Sequence, residues 1–350
     1  EEVAAALESA GVEDLQVVRA QQRFIDAVAG MQDPEQKRKA IGNLFGKIME
    51  EECERLGLDS ERTFLAQGTL YTDLIESGRG VGKKAATIKS HHNVGCKFID
   101  DLKAAGRVVE PNRMIFKDEV RAAAREIGLP PEISERQPYP GPGLGIRIVQ
   151  SPGVDEGFYT ANEDVRLIAS TYNFEGRLLP IRTVGVQGDE RTYSYLTMLQ
   201  GPKDWDLIRA AADAIPQVVK STNRVVYRIG QGDLDDVITK IVPATVTAEN
   251  VALLQEVDYI GRQIIAKHGM GSNQDIFALI GVDINGNGKP CIVYRGVDTD
   301  DFMTVTPVVP DGKRMSWDCL REINNVLKRD YGVAMVFDVT TKPPATTCLE

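Results

Sequence analysis

The sequence predicts an α/β protein whose first part is a parallel sheet flanked by helices and whose second part is a duplicated α+β unit. Three observations lead there. Strands and helices alternate through the first 130 or so residues, the pattern of a parallel sheet covered by helices. A β-β-α-β order occurs twice in the second half. At 350 residues the chain exceeds the size at which one core keeps growing, so two or three domains are expected.

Residues 1–10 read as the end of a helix stopped by Gly11, and Leu15-Gln16-Val17-Val18 as a short buried strand. Asp33-Pro34-Glu35 is a helix start, with Asp as N-cap and Pro at the first helical position; Ile41, Leu44, Phe45, Ile48 and Met49 follow at helical spacing. Thr63 to Gly68 reads as a strand ending in a glycine turn, and ligands sit beyond the C-terminal ends of such strands. Phe116-Lys117-Asp118-Glu119-Val120 opens another helix, ending near Gly128-Leu129-Pro130-Pro131. The Pro/Gly run from Arg136 to Leu144 is either a domain linker or a binding wall.

In the second half, Arg182 to Val186, a tyrosine-bearing strand over 191–199, a helix opening at Trp205 and Val225-Val226-Tyr227 make one β-β-α-β unit. Ile292 to Arg295, Phe302 to Val305, a helix opening at Trp317 and Met335 to Asp338 repeat it. Two copies of one unit suggest pseudo-symmetric packing. Residues 243–275 are expected to be a mostly helical connector.

Hydrophobic residues at 42% and charged residues at 26% fit an ordinary globular protein. No apolar run approaches bilayer length, and Glu1-Glu2-Val3-Ala4 is no signal peptide, so a cytoplasmic location is expected and no membrane partner. Cys53, Cys96, Cys291, Cys319 and Cys348 lack metal or redox spacing, which suits a reducing compartment and gives no reason to expect zinc. A formal charge of −10 argues against nucleic acid as a partner.

Among motifs, Gly78 to Lys84 superficially resembles a Walker loop, but it is one residue short and no Ser or Thr follows the Lys. Asp283 to Gly288 imitates an EF-hand, yet Tyr294 stands where the bidentate Glu should be; a turn built on Asn-Gly is expected instead. His91 and His92, flanked by Lys89, Ser90 and Asn93, suit either a lid closing on an anion or a solvated loop. Asp73 and Glu76 share one helix face, which serves Mg²⁺ or only solvent. Lys89, Lys117 and Asp118 are ordinary singly; with the two histidines they could neutralise a pyrophosphate leaving group.

Taken together, Ala66-Gln67-Gly68-Thr69-Leu70, Asp73 to Ser77, Ile88 to Gly95, Phe116 to Arg121, Arg136-Gln137-Pro138, Pro140-Gly141-Pro142-Gly143-Leu144 and Lys342-Pro343-Pro344-Ala345-Thr346 closely resemble the GMP synthetase family in order and spacing, essentially from end to end. The resemblance implies an adenine nucleotide alpha hydrolase-like ATP-pyrophosphatase domain over 1–145. It also implies a dimerisation-type module duplicated over 146–242 and 276–350, as in longer, animal-type members, so that a monomer or a homodimer is expected.

The implied chemistry is adenylylation of xanthosine monophosphate (XMP) at O2 by ATP, then attack of ammonia at C2 to give GMP, AMP and pyrophosphate. Ammonia would come from glutamine through an amidotransferase domain absent from this sequence. By motif position, Gln67, Gly68 and Thr69 would bind ATP, Asp73 and Glu76 would handle Mg²⁺ and phosphates, and Lys89, His91 and His92 would close over the nucleotides. Lys117 and Asp118 would complete that pocket. Arg136, Pro140, Gly141, Pro142, Gly143, Gln187, Lys342 and Thr346 would line the XMP site.

The sequence departs from the family pattern in three places. The pyrophosphate loop Ser-Gly-Gly-Val-Asp-Ser occurs nowhere in it, and neither does the amidotransferase domain; the expectation is a fragment, the alternative an inactive homologue that binds nucleotide or protein. The tail ends Cys348-Leu349-Glu350 where the family has Glu-Trp-Glu.

Overall fold

The computed structural model describes residues 2–59, 61–76, 97–137, 139, 141–187, 190–230, 232, 234, 240–298, 306–340 and 349–350. The chain divides into two compact units, one drawn mainly from residues up to Gln137 and the other mainly from Pro138 onward.

In the first unit, α1 (Glu2–Ser9) gives way to Gly11 at φ +88°, and α2 (Gln21–Val28) buries Ile25 and Val28. Helix α3 (Pro34–Arg55) begins at its proline as expected. It buries Ile48 and Cys53 but leaves Phe45 55% exposed, so the inner face is narrower than the apolar spacing suggested. Strand β1 (Leu65–Ala66), α4 (Tyr71–Glu76), α5 (Lys97–Ala104), β2 (Val108–Val109), α6 (Lys117–Glu126) and α7 (Pro131–Ser134) follow. β1 and β2 pair in parallel, Leu65 with Val108 and Ala66 with Val109. The buried strand expected at Leu15 to Val18 does not form: the segment is irregular, with Val17 66% and Val18 43% exposed. A strand needs a neighbour to satisfy its backbone, and among the described residues this unit's only ladder is β1–β2.

The second unit contains β3 (Ile148–Val149), α8 (Phe158–Thr171), β4 (Glu175–Gln187), β5 (Glu190–Gln200), α9 (Trp205–Val218), β6 (Thr222–Arg228), α10 (Ala248–Lys267), β7 (Gln274–Ile280), β8 (Cys291–Asp298), β9 (Thr306–Pro307), α11 (Trp317–Tyr331) and β10 (Met335–Asp338). One sheet runs in the order β3-β7-β8-β10-β6-β5-β4, with β9 added to β8. β4 and β5 are antiparallel and β5 and β6 parallel; β7 and β8 are antiparallel and β8 and β10 parallel. The two trios meet through the antiparallel pair β6–β10, Phe337 opposite Tyr227. Read outward from that seam, the order and sense of the strands are the same on both sides.

This topology corrects the alignment of the two units made from sequence. Ile292 to Arg295 lies on β8, which takes the place of β5 rather than β4, and the strand matching β4 is β7. Phe302 to Val305 lies outside the described residues. The 243–275 stretch holds α10, which packs on β7 as α8 packs on β4, and it runs into β7 itself. Close packing there requires Gly261, where a Cβ would fall 2.2 Å from the Phe277 ring.

Both tryptophans noted in the sequence open helices, after an Asp204 cap in α9 and a Ser316 cap in α11. Each crosses the seam: Trp205 packs on Phe337 of β10 at 6.4 Å between ring centroids, and Trp317 on Tyr227 of β6 at 5.3 Å. Phe277, Tyr294 and Phe337 continue the aromatic layer at 5.0 and 5.9 Å, all fully buried. At about 1.5–3 kcal/mol for burying each ring, this layer holds the two halves as one core. In the turn between β7 and β8, the Asp283 carboxylate accepts from the N–H groups of Asn285, Gly286 and Gly288. Its oxygens therefore serve the loop, in keeping with a turn rather than a calcium site. Among the described residues no helix is long and apolar enough to cross a membrane.

Candidate functional site

In the first unit β1 and β2 end side by side, and the chain leaving them builds the candidate site. The Gln67 N–H donates to the Val109 carbonyl (2.9 Å), extending the ladder by one residue. Gly68 follows, exposed. The Thr69 hydroxyl donates to Glu110 Oε1 (2.7 Å), tying the two loops together. The Tyr71 N–H donates to the Ile115 carbonyl (3.2 Å), and the Tyr71 ring meets Phe116 edge to face at 5.3 Å. These contacts set the N-termini of α4 and α6 next to each other. Gln67, Gly68, Thr69, Asp73, Lys117 and Asp118 thereby lie toward one end of the parallel pair.

The local electrostatics are mixed. Asp73 Oδ2 accepts from the Leu70 N–H (3.0 Å) and Glu119 Oε2 from the Phe116 N–H (2.7 Å), so each carboxylate closes the first turn of its helix. Asp118 and Glu119 already oppose the positive N-terminal pole of α6, and Lys117 is the cation there that would favour a phosphate. Among the described residues no group of three or more His, Cys, Asp and Glu side chains could hold a metal ion. Mg²⁺ takes one or two carboxylates and draws its other ligands from phosphate and water. Asp73 would have to share itself between ion and helix. Asp73→Asn, which keeps an acceptor oxygen, is expected to cost only tenths of a kcal/mol as a helix cap while weakening Mg²⁺-dependent nucleotide binding several-fold; equal losses in stability and binding would leave Asp73 as a cap alone. Sequence reading missed Glu110, which Thr69 holds and Arg113 approaches at 3.3 Å. Its signal was a carboxylate directly after a strand end.

The residues assigned to XMP are spread over both units. Arg136, exposed in the first, offers its carbonyl to Arg121 Nη2 (2.8 Å). In the second, Gly141 and Pro142 lead into a 3-10 turn over Gly143–Ile146, and Gly143 adopts φ +61°, a conformation that favours glycine. Gln187 is the last residue of β4, opposite Glu190. Leu349 and Glu350 are buried, and the Leu349 carbonyl accepts from the Val184 N–H (2.8 Å). The region 78–96 with Lys89, His91 and His92, the side chain of Glu76, and Pro140, Lys342, Thr346 and Cys348 lie outside the described residues. The third histidine, His268, pairs with Glu322 on the surface.

No family model matches the chain. It is 36% identical to a glutamine-hydrolysing GMP synthase of Dictyostelium discoideum, over 90% of this chain and 50% of that protein. A probable glutamine-hydrolysing GMP synthase of Caenorhabditis elegans is 34% identical over 90% of this chain and 52% of that protein. A bacterial glutamine-hydrolysing GMP synthase, from Caldicellulosiruptor saccharolyticus, reaches 41% but aligns with only 62% of the chain. The chain spans about half the length of the curated relatives it matches.

Proposed function

We infer that the chain, which belongs to the GMP synthase family, supplies that family's synthetase half, converting XMP, ATP and ammonia to GMP, AMP and pyrophosphate in guanine nucleotide biosynthesis. The observation that carries this is similarity over 90% of the chain to GMP synthases. The cluster of Gln67, Gly68, Thr69, Asp73, Lys117 and Asp118 at the carboxyl end of the β1–β2 pair supports it. Gln67, Gly68 and Thr69 would receive the adenine nucleotide, in a first unit of the adenine nucleotide alpha hydrolase type. Asp73 and Glu76 would hold Mg²⁺, which when bound supplies charge neutralisation for the pyrophosphate leaving group. Lys117 adds a cation to the same end, and Lys89, His91 and His92 would close over it. Asp118 shapes that pocket from the first turn of α6. Arg136, Pro140, Gly141, Pro142, Gly143, Gln187, Lys342 and Thr346 would hold XMP.

The seam between the strand trios supports a duplicated dimerisation-type module, and so does the shorter bacterial alignment. With the second copy in the same chain, a monomer satisfies the contact. Glutamine would enter through an amidotransferase domain, and the reaction would run in the cytoplasm. Calorimetry with XMP tests the reading: saturable binding that excess GMP competes away is expected, followed by XMP-dependent pyrophosphate release when ATP and ammonia are added to a form of the protein that carries the family's pyrophosphate loop. No heat of XMP binding at millimolar nucleotide would overturn it.

A further inference from the structure

Two residues to which the sequence reading gave no role flank the Gly141–Gly143 turn and touch each other. Tyr139 precedes the turn and Arg147 follows it, and the Arg147 guanidinium lies over the Tyr139 ring at 5.2 Å from its centroid. Both converge on Asp258 of α10: Arg147 Nη1 donates to Oδ1 (2.8 Å), while the Tyr139 hydroxyl points at Oδ2 (3.4 Å). Arg262 closes the other side of that carboxylate at 2.9 Å. The Arg147–Asp258 pair is almost wholly buried, and Arg147 also reaches the Phe277 carbonyl of β7 at 3.3 Å. The Tyr139 ring packs on Ile146 and Ile276. Burial, with Asp258 second, holds its phenol above the ordinary range, so it stays a neutral donor at physiological pH.

The turn between these two residues is held on its Arg147 side by the 3-10 turn over Gly143–Ile146, which buries Ile146 against Ile276. A Cβ at Gly141 would meet nothing within 4 Å, and Pro142 has no N–H to give. The clasp at its two ends ties the turn to α10, which lies directly on Phe277 because Gly261 has no side chain.

We propose that Tyr139 is a positioning residue for the purine nucleotide: clasped by Arg147 and Asp258, it fixes the Gly141–Gly143 turn as a rigid wall against which XMP binds. This rests on the reading of the turn as part of the XMP site. Tyr139→Ala in the active enzyme should raise KM for XMP on the order of 10-fold, the effect of letting a positioning element drift, with kcat and KM for ATP nearly unchanged. Tyr139→Phe, which keeps the ring under Arg147, should restore most of the affinity, and Tyr139→Leu, which keeps apolar contact without a flat face, should not. Wild-type KM for XMP in the Leu and Ala variants overturns the proposal while leaving the function standing. Equal rises in KM for XMP and ATP also overturn it, since they mark a general loss of structure. A wild-type enzyme that does not bind XMP overturns the functional reading itself, and this inference with it.

Discussion

Asp338→Ala is expected to destabilise the sheet unit by about 3–5 kcal/mol, the cost of breaking a buried charge pair by removing one partner. Asp338 ends β10, the strand between β8 and β6, and receives an arginine from each neighbour: Arg224 of β6 at 2.5 Å and Arg295 of β8 at 3.0 Å. Its carboxylate is fully buried and also accepts from the Thr340 N–H at 3.0 Å. Alanine would leave two buried guanidinium groups facing a void at the central seam of the sheet. Asp338→Asn should fall in between, because the amide oxygen still accepts but carries no charge.

The pH dependence follows. Burial alone would raise the Asp338 pKa, but Arg295 and Arg224 more than offset it and hold it below the ordinary 3.8. A depressed folded value means the stabilisation is fully present above the unfolded value and is lost as pH falls through the folded one. The gap between wild type and Asp338→Asn should thus stay constant from neutral pH down to about pH 4 and narrow only below it. Urea unfolding at a series of pH values measures this, and a gap that closes by pH 6 would refute the assignment.

That cluster was invisible in the sequence. Arg224, Arg295 and Asp338 occur inside apolar runs whose pattern says only that they are strands; which strands become neighbours is a non-local fact. The same limit explains the two misread elements. Leu15 to Val18 has the composition of a strand, but strand formation depends on a partner that composition cannot supply. β7 was not recognised because the sequence reading placed 243–275 in a helical connector and began the second β-β-α-β order at Ile292 to Arg295; the β8–β10 ladder sets β8 beside β10 as β5 lies beside β6. The helix starts that were read have local causes: Asp204 and Ser316 cap α9 and α11 from the adjacent turn, and Pro34 begins α3, whereas α5 and α8 carry no side-chain cap signal that the sequence reading used and were not predicted. Of the candidate site, Gln67 to Thr69, Asp73 and Lys117-Asp118 were proposed from the family resemblance, and the structure places them after β1 and at the starts of α4 and α6. Glu110 and the clasp of Tyr139 with Arg147 and Asp258 could not be read from the sequence, since each joins residues brought together by folding.

Lys342→Ala should weaken XMP binding by about 1–3 kcal/mol, roughly 5- to 150-fold in Kd, if a charged hydrogen bond to the nucleotide is lost. Lys342 itself lies outside the described residues, so the expectation rests on the motif Lys342-Pro343-Pro344-Ala345-Thr346 and on what holds the chain to either side. Upstream, the Thr340 hydroxyl bonds the backbone of Val225 in β6, accepting from its N–H at 2.9 Å. Downstream, Leu349 is buried and bonded to Val184 in β4. Both anchors belong to the sheet core rather than to Lys342, so the Ala variant should unfold at the wild-type urea concentration. Lys342→Arg should recover part of the affinity: the charge returns, but a planar fork places it differently from a compact ammonium. A lysine that merely follows a strand on the surface would give wild-type affinity in both variants, and that result, with XMP binding otherwise intact, would remove Lys342 from the site and leave Tyr139 and the Gly141–Gly143 turn to account for recognition without the tail.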